Sequence, residues 1–261
     1  MLARTIRTAA LAALAALAAA AAPAAPPAAP APAAPPDLDT IVRRLDDLYR
    51  SKTSIAVIEM TIATAKTTRT LRMKAWSKGE DKALIVIEAP PREAGTATLK
   101  VGDNLWNYLP RVSRTIRVPP AMMRGSWMGT DFTNDDLVKE SSFKRDYTTR
   151  LVGPSPSPEG WLVEMVAKPG VVGLWERMET VVSKDGTYPI VARYYDRKGR
   201  LARTMTSDEV RLLGGRMIPA HLTLTSTDEP DHKTEMRYVE LAFDVDVPDA
   251  TFSLSSLERP R

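Results

Sequence analysis

Apolar and polar side chains alternate with a period of two from residue 56 onward, which is typical of β-strands with one buried face. The first three such stretches span residues 56–62, 71–76 and 83–89. The turns between them are too short for the helix that a parallel crossover needs, so we predict an antiparallel sheet. The pattern then continues over residues 96–101, 105–109, 115–118, 143–152, 161–167, 174–182, 190–196, 201–210, 216–226 and 233–243.

One amphipathic helix precedes the strands. Asp37 or Asp39 is placed to cap its N-terminus. We predict a helix over residues 38–49 that packs on the opening of the sheet through an apolar stripe. The stripe consists of Leu38, Ile41, Val42, Leu45, Leu48 and Tyr49.

About a dozen antiparallel strands in one domain must close into a barrel, split into two sheets or curl around something. Several strands are apolar on one face and mixed on the other, as Trp76 and Trp106 show. One helix cannot cover so much apolar surface. We therefore predict a mainly β fold with one or two helices, an unclosed antiparallel β-barrel whose mouth is filled by the helix and a loop. The tail, residues 243–257, is predicted to be a pinned edge segment.

Residues 119–137, here called the Met/Trp loop, keep neither strand nor helix periodicity. Pro119 and Pro120 open the segment, and Gly125 and Gly129 interrupt it, so we predict a loop with at most one helical turn. Its many large apolar side chains argue against disorder. They belong either to a loop that plugs its own core or to a lid over a cavity for an apolar ligand. These side chains are Met122, Met123, Trp127, Met128 and Phe132.

Residues 1–22 run from a basic start through an Ala/Leu stretch to small residues, the pattern of a cleavable signal peptide. A Pro/Ala-rich linker, residues 23–36, is expected to separate it from a single domain over residues 37–261. The chain contains no cysteine, so we expect neither disulfides nor a lipid anchor and predict a free periplasmic monomer. Without Arg4 and Arg7 the formal charge falls from +4 to +2, too little to indicate nucleic-acid binding.

The sequence offers little catalytic chemistry. His221 and His232 are the only histidines, and both are predicted to be solvated strand or turn residues. The sequence contains no P-loop, no H-E-x-x-H and no Gly-rich dinucleotide motif, and its G-S-W-M-G stretch is not a nucleophile elbow. Two carboxylate pairs, at residues 46–47 and 135–136, are expected to cap or solvate helix ends. We predict no catalytic residues, no metal site and no cofactor, and hence a protein that is not an enzyme.

Four motifs together carry a family likeness. They are LWNYLP at residues 105–110, WMGTDFTNDDL at residues 127–137 with Arg114 and Arg117 before it, YYD at 194–196 followed by GRL at 199–201, and FDVDVPD at 243–249 followed by Phe252 and Leu257. In these motifs the chain resembles the outer membrane lipoprotein-sorting protein family, which is similar to the periplasmic lipoprotein carrier LolA. Trp127 and Thr130 stand where the family has phenylalanine and serine, which leaves the apolar character of the loop intact.

The resemblance implies a LolA-like half-pipe whose inner face takes acyl chains. The cargo is then a lipid or an acylated lipoprotein, received from an inner-membrane transporter, for which the RND type is the candidate class, and delivered to an outer-membrane acceptor that the sequence does not identify. Taken together with the strand alternation, it predicts a lipid-binding cavity whose wall and cover consist of Ile58, Met60, Leu71, Met73, Ile85, Ile87, Leu99, Tyr108, Met122, Met123, Trp127, Met128 and Phe132.

Three other functions fit the same sequence. One is a regulatory protein of the envelope that senses stray lipid or lipoprotein, although the chain has no evident second domain for a signalling partner. Another is an envelope scaffold with a filled, ligand-free barrel. The weakest is a hydrolase acting on acyl substrates.

Overall fold

The computed structural model describes residues 35–134, 136, 142–171 and 175–258. The predicted signal peptide and the predicted linker up to residue 34 lie outside the described residues. The strands are β1 (Thr53–Ala63), β2 (Thr68–Lys78), β3 (Lys82–Ala89), β4 (Ala97–Val101), β5 (Asn104–Leu109), β6 (Arg114–Arg117), β7 (Tyr147–Pro156), β8 (Glu159–Ala167), β9 (Arg177–Val182), β10 (Pro189–Tyr195), β11 (Leu201–Leu213), β12 (Arg216–Ser226) and β13 (Lys233–Phe243). The α-helices with described bounds are α1 (Leu38–Asp47), α2 (Phe143–Asp146) and α3 (Leu254–Leu257).

All of these strands form one 13-stranded sheet in the order β6-β5-β4-β3-β2-β1-β13-β12-β11-β10-β9-β8-β7. Each pair of neighbours is antiparallel, and β1 pairs with β13 in the middle of the sheet. Within the described chain the two edge strands, β6 and β7, do not pair with each other. The predicted unclosed antiparallel barrel is therefore confirmed.

The cross-strand register sorts the side chains into two faces. We call inner the face that carries α1 and the Met/Trp loop. Ala56 lies opposite Ala75 on one side and Leu241 on the other, and Ala75 in turn lies opposite Ile85. Because side chains directly opposite each other in a sheet share a face, these four mark one inner row. The residues between them, such as Trp76 and Leu84, belong to the outer face.

Helix α1 begins after Asp37, whose carboxylate accepts the backbone N–H of Thr40 at 2.9 Å. The side chain of Ile41 is fully buried among β8 and β9 residues that include Val163 and Met178. This half of the sheet is therefore covered by the helix, as the apolar stripe predicts. The helix ends at Asp47, two residues before the predicted end.

Two predicted strand starts differ from the structure. Residues 143–146 form α2 instead of the beginning of β7, because Asp46 accepts the backbone N–H of Phe143 at 2.7 Å and Ser142 accepts that of Arg145 at 3.1 Å. These side chains satisfy the first donors of a helical turn. The strand predicted over residues 174–182 begins at Arg177, and residues 172–174 lie outside the described part.

The C-terminal tail is not an edge segment. Its apolar side chains Val247, Phe252 and Leu257 pack on the outer face of β3 and β4, against Leu84 and Leu99 among others. This part of the sheet is consequently buried on both faces. Alternation alone cannot assign an inner face to such strands.

Candidate functional site

An apolar cavity of about 440 Å³ lies between the inner face, the end of α1 and the Met/Trp loop. Its size falls within the roughly 300–1,000 Å³ that is usual for small-molecule sites. Leu45, Leu48 and Tyr49 line it from the helix side, and Phe132 lines it from the loop. The sheet contributes, among others, Ala56, Ile58, Ala75, Ala83, Ile85, Leu105, Met178, Thr180, Ala192, Tyr194, Met205, Tyr238 and Leu241.

The cavity exists because small side chains stand on the inner face beneath the end of α1. Ala56, Ala75 and Ala83 come from three adjacent strands, and Ala192 reaches the same space from β10. Protein interiors are otherwise filled to crystal-like density, so a group of alanines under a helix leaves room that no neighbour occupies. A slender apolar chain fits such a space better than a bulky planar ligand does.

One end of the cavity is polar. Ser54, Ser77 and Lys100 lie in one cross-strand row on the inner face, with Ala83 between the last two. The hydroxyl oxygens of Ser54 and Ser77 are 2.7 Å apart, and the buried Lys100 ammonium donates to the carbonyl oxygen of Glu80. An apolar wall with a few polar groups at one end suits an amphipathic ligand.

Tyr49 holds the end of the helix segment over this cavity. Its ring stacks on that of Tyr238 with centroids 5.1 Å apart, and its hydroxyl donates to the carbonyl oxygen of Pro219 at 2.8 Å. Burial raises the pKa of the Tyr49 hydroxyl, so the hydrogen bond persists at any physiological pH. The roof of the cavity is thus joined to β12 and β13.

The predicted wall residues fall into three groups, and the first group comprises those that lie on or against the inner face. Ile58, Ile85 and Phe132 line the cavity. Met60, Leu71, Met73 and Ile87 share the inner face, but they pack in one buried cluster with Trp127 and Met128 next to the cavity. Whether any of them contacts a ligand stays a prediction.

Leu99 and Tyr108 form the second group, and the structure places them on the outer face. Both pack with the C-terminal tail, whereas Thr98 and Lys100 point inward from the same strand. The sequence prediction put Leu99 in the cavity because it is the apolar partner in an alternation with threonine and lysine. The assignment of these two residues to the cavity wall is therefore corrected.

Met122 and Met123 form the third group. Met122 is 61% exposed, and Met123 is half-buried outside the described core clusters. Neither residue lines the cavity. They stand at the start of the Met/Trp loop, before the chain turns inward at Trp127.

The Met/Trp loop, described for residues 119–134 and 136, has its own hydrogen-bonded structure. The N–H of Trp127 donates to the carbonyl oxygen of Phe132 at 2.8 Å, and that of Thr130 donates to Trp127 at 2.9 Å. Met128 and Gly129 between them have φ angles of +51° and +71°. Consecutive positive φ values mark a tight reverse turn, which accounts for the glycine and strains the methionine. The loop is a preformed hairpin rather than an irregular connection.

The tip of this hairpin enters the inner face. Trp127 is 2% exposed, and its indole N–H donates to the hydroxyl of Thr98 at 3.1 Å. Arg69 of β2 donates to the carbonyl oxygen of Met128 and forms an ion pair with Glu93 at 3.1 Å. The loop is therefore held by β2 and β4 on one side of the β1–β13 centre.

Asp131 holds the loop to the other side. Its carboxylate accepts a hydrogen bond from the Thr234 hydroxyl at 2.7 Å and lies 2.9 Å from Nδ1 of His232. Its own N–H donates to the same hydroxyl at 2.9 Å. The His232 side chain is itself only 15% exposed and contacts a carboxylate that is 2% exposed, so the prediction that His232 is a solvated turn residue is wrong.

A second acidic residue of the loop, Asp136, forms a buried ion pair with Arg203 of β11. The guanidinium lies over the rings of Trp175 and Tyr194, 4.6 and 4.5 Å from their centroids. Burial by itself raises the pKa of the Asp136 carboxyl, but the Arg203 charge and hydrogen bonds from Thr133 hold it below its ordinary value of 3.8. The same carboxylate accepts the backbone N–H of Thr133 at 2.8 Å, while the Asp136 N–H donates to the Thr133 hydroxyl at 3.1 Å. Asp136 thus caps a chain turn, as predicted, and is an ion-pair partner as well.

His221 also has a partner, which the sequence did not indicate. Its Nδ1 lies 2.7 Å from Asp208, and with Glu209 these residues could place three ligand atoms within 4.8 Å of one another on the outer face. Arg237 already forms an ion pair with Glu209, and both carboxylates are exposed. Arg237 thus offsets one of the two carboxylate charges on this part of the sheet surface. None of the helices in the described ranges is long and apolar enough to span a membrane.

The unclosed antiparallel sheet with a few short helices is a LolA-like fold, as three solved structures show. A DUF1329 family protein from Desulfovibrio piger has a TM-score of 0.75 and 25% identity, over 84% of this chain and 96% of that one. An outer membrane lipoprotein-sorting protein domain from Vibrio parahaemolyticus has a TM-score of 0.70 and 22% identity, over 85% and 96%. For a LolA superfamily protein from Nitrosomonas europaea the values are 0.69 and 20%, over 84% and 98%.

These similarities define the chain as a protein with the LolA superfamily fold, which confirms the resemblance drawn from its motifs. A family model described as "Uncharacterized protein" matches residues 79–259, well over half of the chain. The chain belongs to that family. A comparison with curated proteins gives no match.

Proposed function

We propose that this protein is a periplasmic carrier that holds acyl chains of a lipid or lipoprotein in the inner-face cavity and moves them between the inner and outer membranes. The single observation that carries the proposal is the apolar cavity of about 440 Å³ under α1 and the Met/Trp loop. Holding a methylene group out of water is worth about 0.8 kcal/mol, so lipid chains need such an enclosure to cross an aqueous compartment.

The cover of the cavity supports the same proposal. Arg69, Thr98, Arg203 and Thr234 of the sheet form hydrogen bonds with the loop. When the loop opens, hydrogen bonds to water replace them. A loop held this way has a closed position and can be released as a unit. Release would admit or discharge a chain, and an inner-membrane transporter of the RND type is the partner proposed to drive it. The acceptor is proposed to lie in the outer membrane.

A ligand-free envelope scaffold is the second candidate. It is favoured by the burial of Trp127 among Met60, Leu71 and Met73, which is the packing of a permanent core. A scaffold of this kind would retain the cavity as a packing defect. The two candidates differ in whether the cavity is ever occupied.

Filling the cavity tests the carrier. Ala75→Leu and Ala192→Leu each add a branched side chain to the space that the proposed ligand occupies, and Thr206→Leu places the same side chain at an exposed position on the outer face of β11. We expect purified protein to carry lipid in stoichiometric amount by mass spectrometry. The two cavity variants should bind a fluorescent fatty acid at least about tenfold more weakly than wild type, with unchanged or raised melting temperatures.

The control variant Thr206→Leu should bind the probe like wild type. Absence of lipid from every preparation, with no binding of the fluorescent fatty acid by delipidated wild type, would reject the carrier and favour the scaffold. Equal loss of affinity in all three variants would show that the probe does not enter the cavity.

A further inference from the structure

A basic, apolar strip runs along one edge of the sheet. It consists of residues 111–124, from the turn before β6 to the turn after it, and is called here the edge strip. It contains Arg111, Arg114, Arg117 and Arg124, and no acidic residue occurs between Asp103 and Asp131. Most of its residues are exposed.

Large apolar side chains are concentrated in the same strip. Val112 is 58% exposed, Ile116 47% and Met122 61%. Three of the eight large apolar side chains that are exposed in the described chain thus fall within eleven positions. Clustered exposed apolar residues mark an interaction surface, whereas single ones are ordinary.

The arginines of the edge strip are not used inside the fold. Among the described residues, the side chains of Arg111, Arg114 and Arg124 have no hydrogen-bond or ion-pair partner, and the Arg117 side chain donates to the side-chain oxygen of Asn104. A carboxylate does contact the strip, because Glu258 accepts a hydrogen bond from Thr115 at 2.5 Å. The strip therefore presents a net positive charge to solvent.

Charged residues on an edge strand often serve only to prevent another strand from pairing with it. That role explains the arginines of β6 but not the three exposed apolar side chains. Val112 and Met122 lie on the 3-10 turns at either end of the four-residue strand. A partner strand would pair along β6 and would not cover these turns, so the surface does not fit an added strand.

We propose that the edge strip is a membrane-docking surface that binds bilayers containing anionic lipids. Arginine charges attract an anionic membrane surface, and apolar side chains between them enter the boundary between headgroups and acyl chains. The strip shares residues 119–124 with the Met/Trp loop, and Asn134 of that loop donates to the carbonyl oxygen of Met122 at 3.1 Å. Docking through this surface places the loop next to the bilayer. The inference does not depend on what occupies the cavity.

Vesicle sedimentation tests the proposal. The probes are phosphatidylcholine vesicles with about one third phosphatidylglycerol and, in parallel, pure phosphatidylcholine vesicles. Wild-type protein should sediment with the anionic vesicles only, and salt at about 0.5 M should abolish this binding. Because one arginine near an anionic surface changes partitioning roughly fivefold, the double variant Arg111→Gln/Arg114→Gln should bind roughly 25-fold more weakly. Met122→Ser should weaken binding without changing its salt dependence.

The matched control is Arg197→Gln/Lys198→Gln, which removes two exposed positive charges from the β10–β11 turn. It should bind like wild type, and all variants should melt like wild type because the changed side chains are exposed. An equal loss in the control would show that only net charge matters and would overturn the proposal. Failure of wild type to bind anionic vesicles at low salt, with specific binding of an acidic extended peptide to the β6 edge, would replace the membrane by a protein partner.

Discussion

Arg203 of β11 and Asp136 of the Met/Trp loop form a two-pronged ion pair, with Nη1–Oδ2 and Nη2–Oδ1 distances of 2.7 and 3.2 Å. The Arg203 side chain is 8% exposed and that of Asp136 is 17% exposed. Aromatic rings of Trp175 and Tyr194 flank the guanidinium. A buried cation is thus neutralised by a residue of the loop, so the position of the loop and the stability of the sheet interior are coupled.

Replacing Asp136 by asparagine should break this coupling. Asp136→Asn leaves a buried guanidinium without its counter-charge, a change that costs roughly 3 to 5 kcal/mol in buried pairs. We expect a lower urea midpoint for unfolding. Arg203→Met removes the cation as well, so adding it to Asp136→Asn should restore most of the loss. A double variant as unstable as Asp136→Asn alone would show that the charge is not the cause.

Acid should have the same effect on the wild-type protein. The pKa of Asp136 is lowered in the folded state, so its contribution to stability is fully present above about pH 3.8 and is lost as the pH falls through the lowered folded value. The stability difference between wild type and Asp136→Asn should therefore shrink below about pH 4. Urea titrations from about pH 7, where the contribution is fully present, down to about pH 2 measure it directly. A difference that is independent of pH would contradict the assignment.

The fold could be predicted because its main signals are local. Alternation over residues 56–89 with short turns leaves only antiparallel pairing, and Asp37 and Ile41 mark the helix start and its buried stripe. The tail was misplaced because its partner surface, the outer face of β3 and β4, is distant in sequence. The same contact hid the correct face of Leu99 and Tyr108. Where both faces of a strand are covered, the alternation of apolar residues does not show which face is the inner one.

The site was predicted less well than the fold, for a physical reason. Searching for large apolar residues finds Met60, Leu71 and Met73, which fill space and form core with Trp127. The cavity instead lies where Ala56 and Ala75 leave space unfilled. Alanines at alternate positions of adjacent strands are the only sequence signal for it, and recognising them requires the register. The ion pair of Asp136 joins residues far apart in sequence and leaves no local pattern at all.

The helix α1 should be essential for the covered half of the sheet. Ile41 is fully buried against β8 and β9, so Ile41→Asp places a charge in an apolar contact and should cost at least about 3 kcal/mol or detach the helix. Arg43→Asp introduces the same residue on the exposed side of the helix and should stay within about 1 kcal/mol of wild type. Thermal melts compare the two. Equal melting temperatures would show that the helix is peripheral to the fold.

The Thr234 hydroxyl should control how tightly the loop is closed. Thr234→Val keeps the shape of a fully buried side chain but leaves the N–H and the carboxylate of Asp131 with one partner fewer each, at a cost of roughly 1 to 3 kcal/mol. Trypsin should then cleave faster after Arg124, which is exposed in the same loop. Thr225→Val on the exposed face of β12 is the control and should be cleaved like wild type. Unchanged cleavage in Thr234→Val would show that these hydrogen bonds do not hold the loop.

Truncation of Trp127 distinguishes a lid from a core plug. A residue of the permanent core lowers the free energy of global unfolding when it is truncated, whereas a residue of a loop that opens by itself mainly makes that opening easier. Met73 belongs to the same buried cluster but sits on β2, so Met73→Ala should cost roughly 2 to 5 kcal/mol of global stability. If the Met/Trp loop opens before the sheet unfolds, the cost of Trp127→Ala appears mainly as faster loop opening. We expect a smaller global loss than for Met73→Ala, faster amide exchange in the loop and weaker binding of a fluorescent fatty acid.

Leu99→Ala supplies the matching control for ligand affinity, since Leu99 packs on the outer face. It should lower stability and leave binding of the fatty acid unchanged, because no part of its side chain faces the cavity. A loss of roughly 3 to 5 kcal/mol in delipidated Trp127→Ala, with unchanged affinity for the fatty acid, would place Trp127 in the permanent core with Met73. The loop would then be a plug, and the scaffold would become the better account of the cavity.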